Sequence, residues 1–198
     1  EYVKSGEYVK SPCFTHFDKV FNELSGKTWG IAGLGSIGRR VADVAKAFGC
    51  RVVYFSASGH TYETEFKRVS FDELLENSDI ISIHAPLNDK TNNLFDDAAF
   101  AKMKKNAVLL NLGRGPIVNN AALTKALKEN IIAGAGLDVI DKEPIAADNP
   151  LLEIQDSSKL IITPHIAWAT YEARVRLMDE VYENIKAFEA GESRNAVV

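Results

Sequence analysis

Thr28-Trp29-Gly30-Ile31-Ala32-Gly33-Leu34-Gly35-Ser36-Ile37-Gly38 decides the fold of this chain. A short β-rich apolar run enters a cluster of three glycines, and helical periodicity begins as the cluster ends. Each glycine has a separate physical task. Gly33 permits a tight turn, Gly35 lets the backbone approach a pyrophosphate, and Gly38 allows close packing of the helix. The first helical residues, Ser36 and Ile37, then present free N–H groups and the positive end of the helix dipole to phosphate oxygens. The stretch therefore predicts a strand, a dinucleotide-binding turn and a helix.

The same theme recurs outward from it. Apolar runs at 28–34, 51–56, 79–84, 107–112, 133–139 and 159–163 alternate with helical patterns at 37–48, 71–76, 96–103 and 119–129. Several runs are apolar on consecutive residues, as expected of parallel strands covered on both faces. The expectation is an α/β fold with a doubly wound parallel sheet and strand order 3-2-1-4-5-6. A last helix is expected over 171–190, stopped by Gly191. The chain divides into a connecting segment, 1–26, a dinucleotide-binding domain, 27–170, and a C-terminal helix and tail, 171–198. Glu-Tyr-Val-Lys-Ser occurs at Glu1 and again at Glu7, too short a repeat to carry a function.

Composition excludes several classes. The 198 residues are 46% hydrophobic, enough for one substantial core, and the formal charge of −4 offers no field for nucleic acid. No apolar run could span a bilayer, and the first residues are polar rather than signal-like. The reading is a cytoplasmic protein without nucleic-acid or membrane partners. Cys13 and Cys50 form no paired framework, so neither a disulfide nor a metal is expected. Cys13-Phe14-Thr15-His16 has a ligand-like spacing but lacks a second Cys/His pair.

The second strand should end in an acid if the cofactor is NAD, because a carboxylate there accepts hydrogen bonds from the adenosine ribose. Ser56 takes that place. Its hydroxyl can still bond a ribose and removes the repulsion against a 2′-phosphate, but no Arg follows it in sequence to hold one. Lys67 and Arg68 come later and read equally as a solvated face. NAD and NADP both remain open.

Three further segments complete the pattern: Asn111-Leu112-Gly113-Arg114-Gly115, then Gly136-Leu137-Asp138 leading to Glu143-Pro144, then Thr163-Pro164-His165-Ile166-Ala167. With the glycine turn, their order resembles the D-2-hydroxyacid dehydrogenases from about Phe14 onward. Residues 11–18 and 163–169 resemble the branch holding glycerate dehydrogenases and hydroxypyruvate reductases. The resemblance implies a Rossmann nucleotide domain that transfers hydride between NAD or NADP and a small 2-hydroxy or 2-oxo acid. It implies that Arg114 binds the substrate carboxylate and polarises its 2-oxo group, that His165 is the acid-base, and that Glu143 orients the ring and favours its charged form. It further places Asp138 near the nicotinamide, His84, Ala85 and Pro86 along the adenosine side, and Leu112, Gly113 and His165 against the cofactor. Trp168 reads either as a pocket wall or as packing.

Members of that family also carry a substrate half-domain built from a long N-terminal segment and the C-terminal tail. These 198 residues begin just before the nucleotide domain, so the expected chain has the catalytic set and only part of the pocket. A homodimer joined through the nucleotide domains is expected on the same resemblance. Two other readings stand beside the enzyme. A dinucleotide-dependent binding or dimerisation module, as in the related transcriptional corepressors, uses the same fold. Formate dehydrogenase shares it too, but pairs its histidine with Gln where this chain has Glu143.

Overall fold

The computed structural model describes residues 2–17 and 20–196. Glu1 of the first repeat, Asp18 of the 11–18 stretch, Lys19, and Val197 and Val198 of the tail lie outside them. Seven parallel strands form one sheet: β1 (Thr28–Ala32), β2 (Arg51–Phe55), β3 (Lys67–Arg68), β4 (Ile80–Ile83), β5 (Val108–Asn111), β6 (Gly134–Leu137) and β7 (Leu160–Ile162). Their order is β3-β2-β1-β4-β5-β6-β7. The helices are α1 (Ser36–Ala47), α2 (Phe71–Asn77), α3 (Asp97–Lys102), α4 (Asn120–Lys128) and α5 (Tyr171–Glu189).

The six apolar runs are all strands, yet the expected order needs correction. The run at 79–84 is not the edge strand; it pairs directly with β1, Trp29 opposite Ile80. The third place in the order belongs to Lys67–Arg68, which pairs with Val53 and Tyr54 of β2. Two exposed cationic residues carry no apolar periodicity, so nothing in their pattern marks a strand. A seventh strand follows from counting them.

Alternation along the strands sends side chains to both faces. Ile31, Val52 and Tyr54 join a cluster with Ala42 and Ala45 of α1. Ala32, Val53, Ile81, Ile83 and Leu109 face the opposite layer, where Leu74 and Leu75 of α2, Phe100 of α3, and Leu123 and Leu127 of α4 are buried. One face is covered along the sheet and the other is covered at β1 and β2 by α1, while Ile161 of β7 stays exposed; burial on both sides of the central strands is why their runs read as continuously apolar. Four helices begin at side-chain caps. Ser70 and Glu73 form a capping box on α2, and Asp96, Asn119 and Thr170 accept from the third residue of α3, α4 and α5. Helix α5 ends near Gly191, whose φ of 74° suits a glycine stop. It buries only Ala187 and leaves Met178, Tyr182 and Phe188 exposed.

Asp79 stitches the opposite edge of the sheet, where β1, β4 and β5 begin. Its Oδ2 accepts from Thr28 N at 2.9 Å, and its Oδ1 from Lys104 Nζ at 3.0 Å and Asn106 Nδ2 at 3.4 Å. Burial alone would raise this carboxyl, but the bonds from Thr28, Lys104 and Asn106, with the charge of Lys104, outweigh it and hold it below the usual range. A depressed carboxyl contributes stability that is fully present above its unfolded pKa of about 3.9 and is lost as pH falls through the lower folded value. Asp79→Asn is expected to cost roughly 1–3 kcal/mol at neutral pH and to flatten the acid limb of the stability curve. Urea unfolding at a series of pH values checks this, and an unchanged acid slope would refute the assignment.

Candidate active site

In a parallel sheet every strand delivers its C-terminal loop to one edge, and the crevice opens where the order reverses, here between β1 and β4. The predicted site residues gather along that edge. Gly33 turns the chain at φ 101°, and a Cβ there would stand 2.7 Å from Ala85 N, so the glycine turn lies directly against the loop after β4. Gly38 has no room either, since a Cβ would stand 2.1 Å from Gly33 O. Gly35 differs from both: nothing lies within 4 Å of the place its Cβ would take. Helix α1 is also the one α-helix among the described residues whose N-cap, Gly35, makes no side-chain hydrogen bond. Uncapped N–H groups below open space fit a pyrophosphate.

Next to the glycine turn, Gly33 N donates to Phe55 O at 3.0 Å, which ties the turn to the end of β2 and its neighbour Ser56. Ser56 is buried, and its hydroxyl lies 3.1 Å from that of Ser58. Beyond β4, His84 Nε2 lies 3.1 Å from Ser82 Oγ, which also accepts from Trp29 Nε1 at 2.9 Å. Burial pushes the His84 imidazole below its usual range. Its buried Nδ1 has no hydrogen-bond partner among the described residues. Ala85 is buried and Pro86 exposed beside it.

The loop after β5 carries Leu112, Gly113 and Arg114, and Asn111 shapes it. The Asn111 side chain accepts from Gly113 N at 3.1 Å and donates to Arg114 O at 3.0 Å. The Arg114 side chain is exposed and donates to Gly113 O at 2.8 Å. A Cβ on Gly115 would stand 1.8 Å from Ile140 O, so this loop is seated on the loop that leads to Glu143. The clamping role of Asn111 was not legible in sequence, where it stood only as part of the strand-end motif.

Glu143 and His165 meet. Glu143 Oε2 accepts from His165 Nδ1 at 2.7 Å, and its Oε1 accepts from Ile140 N at 3.1 Å. The histidine beside it, together with the Ile140 amide, holds the Glu143 carboxyl below the usual range despite partial burial. His165 takes φ 53°, a left-handed conformation rare outside glycine. Asp138 accounts for its persistence. The Asp138 carboxylate accepts from Thr163 Oγ1 at 2.6 Å, Ile166 N at 2.8 Å and Ala167 N at 2.9 Å, while its carbonyl accepts from His165 N at 2.9 Å. Burial would raise this carboxyl, but the three donors prevail and keep it low. Asp138 thus holds the histidine loop, a role the sequence did not announce. Trp168 is exposed, neither packed in the core nor among the residues that line the pocket; its Nε1 donates to His165 O at 2.9 Å and closes the turn.

Asp138, Ile140, Glu143, Pro144, Ile145, Ile162, Thr163, Pro164 and His165 line a cavity of about 540 Å³. Arg114 projects from the neighbouring loop rather than from this wall. With Nδ1 on Glu143, the Nε2 atom of His165 is the ring nitrogen left to exchange a proton. Among the described residues no three His, Cys, Asp or Glu side chains converge as for a metal ion.

The sequence profile of the D-isomer specific 2-hydroxyacid dehydrogenase, NAD binding domain, matches residues 1–167. The chain belongs to that family. A glycerate dehydrogenase of Methylorubrum extorquens is 38% identical over 195 residues, covering 98% of this chain and 60% of its own. A hydroxypyruvate reductase of Blautia hydrogenotrophica is 40% identical over 197 residues, covering 98% and 60%. Both support the branch suggested by residues 11–18 and 163–169. Among solved structures, an acyclic imino acid reductase in complex with NADPH and D-Arg superposes with a TM-score of 0.83 at 33% identity, covering 99% of this chain and 62% of that one. The chain spans about three fifths of the length of these relatives. The D-2-hydroxyacid dehydrogenase domain here is of the Rossmann type, and a nicotinamide dinucleotide is its cofactor.

The glycine turn supplies a test. Gly35→Val should leave stability within about 1 kcal/mol of the parent, because its side chain enters open space at an ordinary φ of −76°. It should weaken dinucleotide binding severely by filling the approach to the α1 N-terminus. Gly38→Ala should instead cost about 1–3 kcal/mol or more, through collision with Gly33 O. Thermal melts and calorimetric titration separate the two, and full-strength binding by Gly35→Val would refute the placement.

Proposed function

We propose that this chain supplies the dinucleotide-binding and catalytic half of an enzyme that interconverts small 2-oxo acids and D-2-hydroxy acids. The observation that carries the reading is the Glu143–His165 pair, 2.7 Å apart at the C-terminal edge of the sheet. Gly33, Gly35, Ser36, Ile37 and Gly38 would hold the pyrophosphate, Ser56 the adenosine ribose, and His84, Ala85 and Pro86 would wall the adenosine side. Leu112, Gly113, Asp138 and His165 would border the nicotinamide end. A bound nicotinamide supplies the hydride in reduction and accepts it in oxidation.

The residues of the chain do the rest. Arg114 draws the substrate carboxylate with a permanently charged, multi-donor guanidinium and polarises the neighbouring carbonyl. His165 presents Nε2: as imidazolium it donates a proton to the carbonyl oxygen, and as neutral imidazole it takes the hydroxyl proton in the reverse direction. Glu143 accepts from Nδ1, which fixes the ring and offsets its positive charge. Asp138 keeps the loop from relaxing. The intact pair favours catalysis over the binding-module reading, which needs neither an oriented imidazole nor its carboxylate.

The His165 and Glu143 side chains are 41% and 37% exposed, an open cleft in which Arg114 is screened by water. Turnover by these 198 residues alone is expected to be weak, because positioning contributes much of the rate. In a polypeptide of the relatives' length, absorbance assays of NADH or NADPH with hydroxypyruvate and glyoxylate should show turnover. There His165→Ala should lower kcat by about 10²–10⁴-fold. Arg114→Ala should lower kcat/KM by about 10²-fold or more, and Glu143→Gln should slow the reaction and alter its acidic limb. An inert full-length protein would move the reading to a binding module.

A homodimer is part of the proposal. Ile37, Val44 and Phe48 expose one apolar side of α1, and Leu24, Trp29 and Val41 line the groove beside it. Phe14, Phe17, Val20 and Phe21 are nearly fully exposed. An isologous contact would cover such surface. Light scattering is expected to give twice the chain mass, and a monomer well above assay concentration would remove the dimer. A cytoplasmic location completes the proposal, supported by two free cysteines, one exposed and one buried. No described helix is long and apolar enough to cross a membrane.

A further inference from the structure

The sequence leaves the choice between NAD and NADP open, because Ser56 replaces an acid and no Arg follows it. The fold brings in a cation that chain position hides. Strand β3 sets Arg68 opposite Tyr54, two positions before Ser56, at the end of β2 where loops gather. From there the guanidinium reaches over the loop that follows. Its Nη1 donates to Thr61 Oγ1 at 2.9 Å, and its Nη2 lies 3.9 Å from where a Cβ on Gly59 would be.

The loop beneath it is tightly wound. Gly59 N donates to Ser56 O at 3.1 Å, the Ser56 and Ser58 hydroxyls are 3.1 Å apart, and His60 N donates to Ser58 Oγ at 3.4 Å. A second guanidinium, Arg39, lies over the Tyr62 ring, 4.7 Å from its centroid. Two carboxylates belong to this segment. Glu65 is paired with Lys46, and Glu63 is exposed. The mouth therefore offers two hydroxyls and a fork of N–H donors where an acid-bearing strand end would offer a negative charge. Gly33 N on Phe55 O keeps it adjacent to the glycine turn, so a dinucleotide whose pyrophosphate rests on α1 brings its adenosine ribose over Ser56.

We propose that Arg68 reads a 2′-phosphate on that ribose, with the hydroxyls of Ser56 and Ser58, and makes this chain prefer NADP to NAD. The inference rests on the dinucleotide reading above. A guanidinium bonds phosphate through several charge-assisted hydrogen bonds, whereas the 2′-hydroxyl of NAD offers it no charge. Substituting an acid at Ser56 would place repulsion in the same spot.

Calorimetric titration of the chain with NADP, NAD, adenosine 2′,5′-bisphosphate and 5′-AMP tests this. NADP should bind more tightly than NAD, and the bisphosphate more tightly than 5′-AMP, with both differences shrinking as salt rises. Arg68→Ala should lower the ratio of NADP to NAD affinity by about ten- to a hundredfold, Arg68→Lys by less, and Ser56→Asp should invert the preference. Arg68 is exposed at the sheet edge, and a thermal melt confirms that each variant folds. A parent that prefers NAD, or an Arg68→Ala ratio equal to the parent's, overturns the role of Arg68 and leaves the dinucleotide site standing. Failure of all four ligands to bind overturns both.

Discussion

Seven strands running one way impose the constraint on which everything else rests. With the central strands packed between layers, the chain turns at the two ends of the strands, and each end must satisfy its own donors and acceptors. Three buried or half-buried side chains do so. Asp79 gathers the starts of β1, β4 and β5, Asn111 winds the loop after β5, and Asp138 binds the loop after β7 to the end of β6. None of the three needs to touch a substrate for the site to depend on it. Remove the carboxylate of Asp79 or Asp138 and several donors are stranded together, which is costlier than losing one bond.

That constraint explains what sequence could and could not disclose. The glycine turn was legible because one backbone shape demands Gly33 and Gly38, and because the strand before it and the helix after it have different periods. The proposed catalytic set stands out in the sequence only through the order of whole segments; Arg114, Glu143 and His165 taken singly are ordinary surface residues. The edge strand was not legible. Its two residues, Lys67 and Arg68, are a strand by virtue of lying beside β2, and that neighbour relation lies outside their own pattern. The misplaced order of the 79–84 run came from the same blindness. Asp138 was visible as an acid at a strand end, yet its task depends on where the 163–167 loop returns, across 25 residues of chain.

The histidine illustrates how strain and polarity are shared. A left-handed φ at His165 would relax in a free loop, and here the amides of His165, Ile166 and Ala167 and the hydroxyl of Thr163 are already committed to Asp138. The imidazole is thereby aimed before any ligand arrives, and Glu143 selects which of its nitrogens faces the cleft. Orientation comes from the backbone and tautomer from the carboxylate. The two functions sit on different loops, after β6 and after β7, so either can be altered without dismantling the other.

The chain has two tryptophans, and each indole N–H is spent at the crevice: Trp29 on Ser82 beside His84, and Trp168 on the carbonyl of His165. Tryptophan emission from this chain consequently originates at two places, one near His84 and one beside His165. The first indole is half-buried against the α1 cluster, where it lines the groove beside that helix, while the second is more open to water and to collisional quenchers. The molecule carries an internal pair of optical reporters that divides the crevice without any added label.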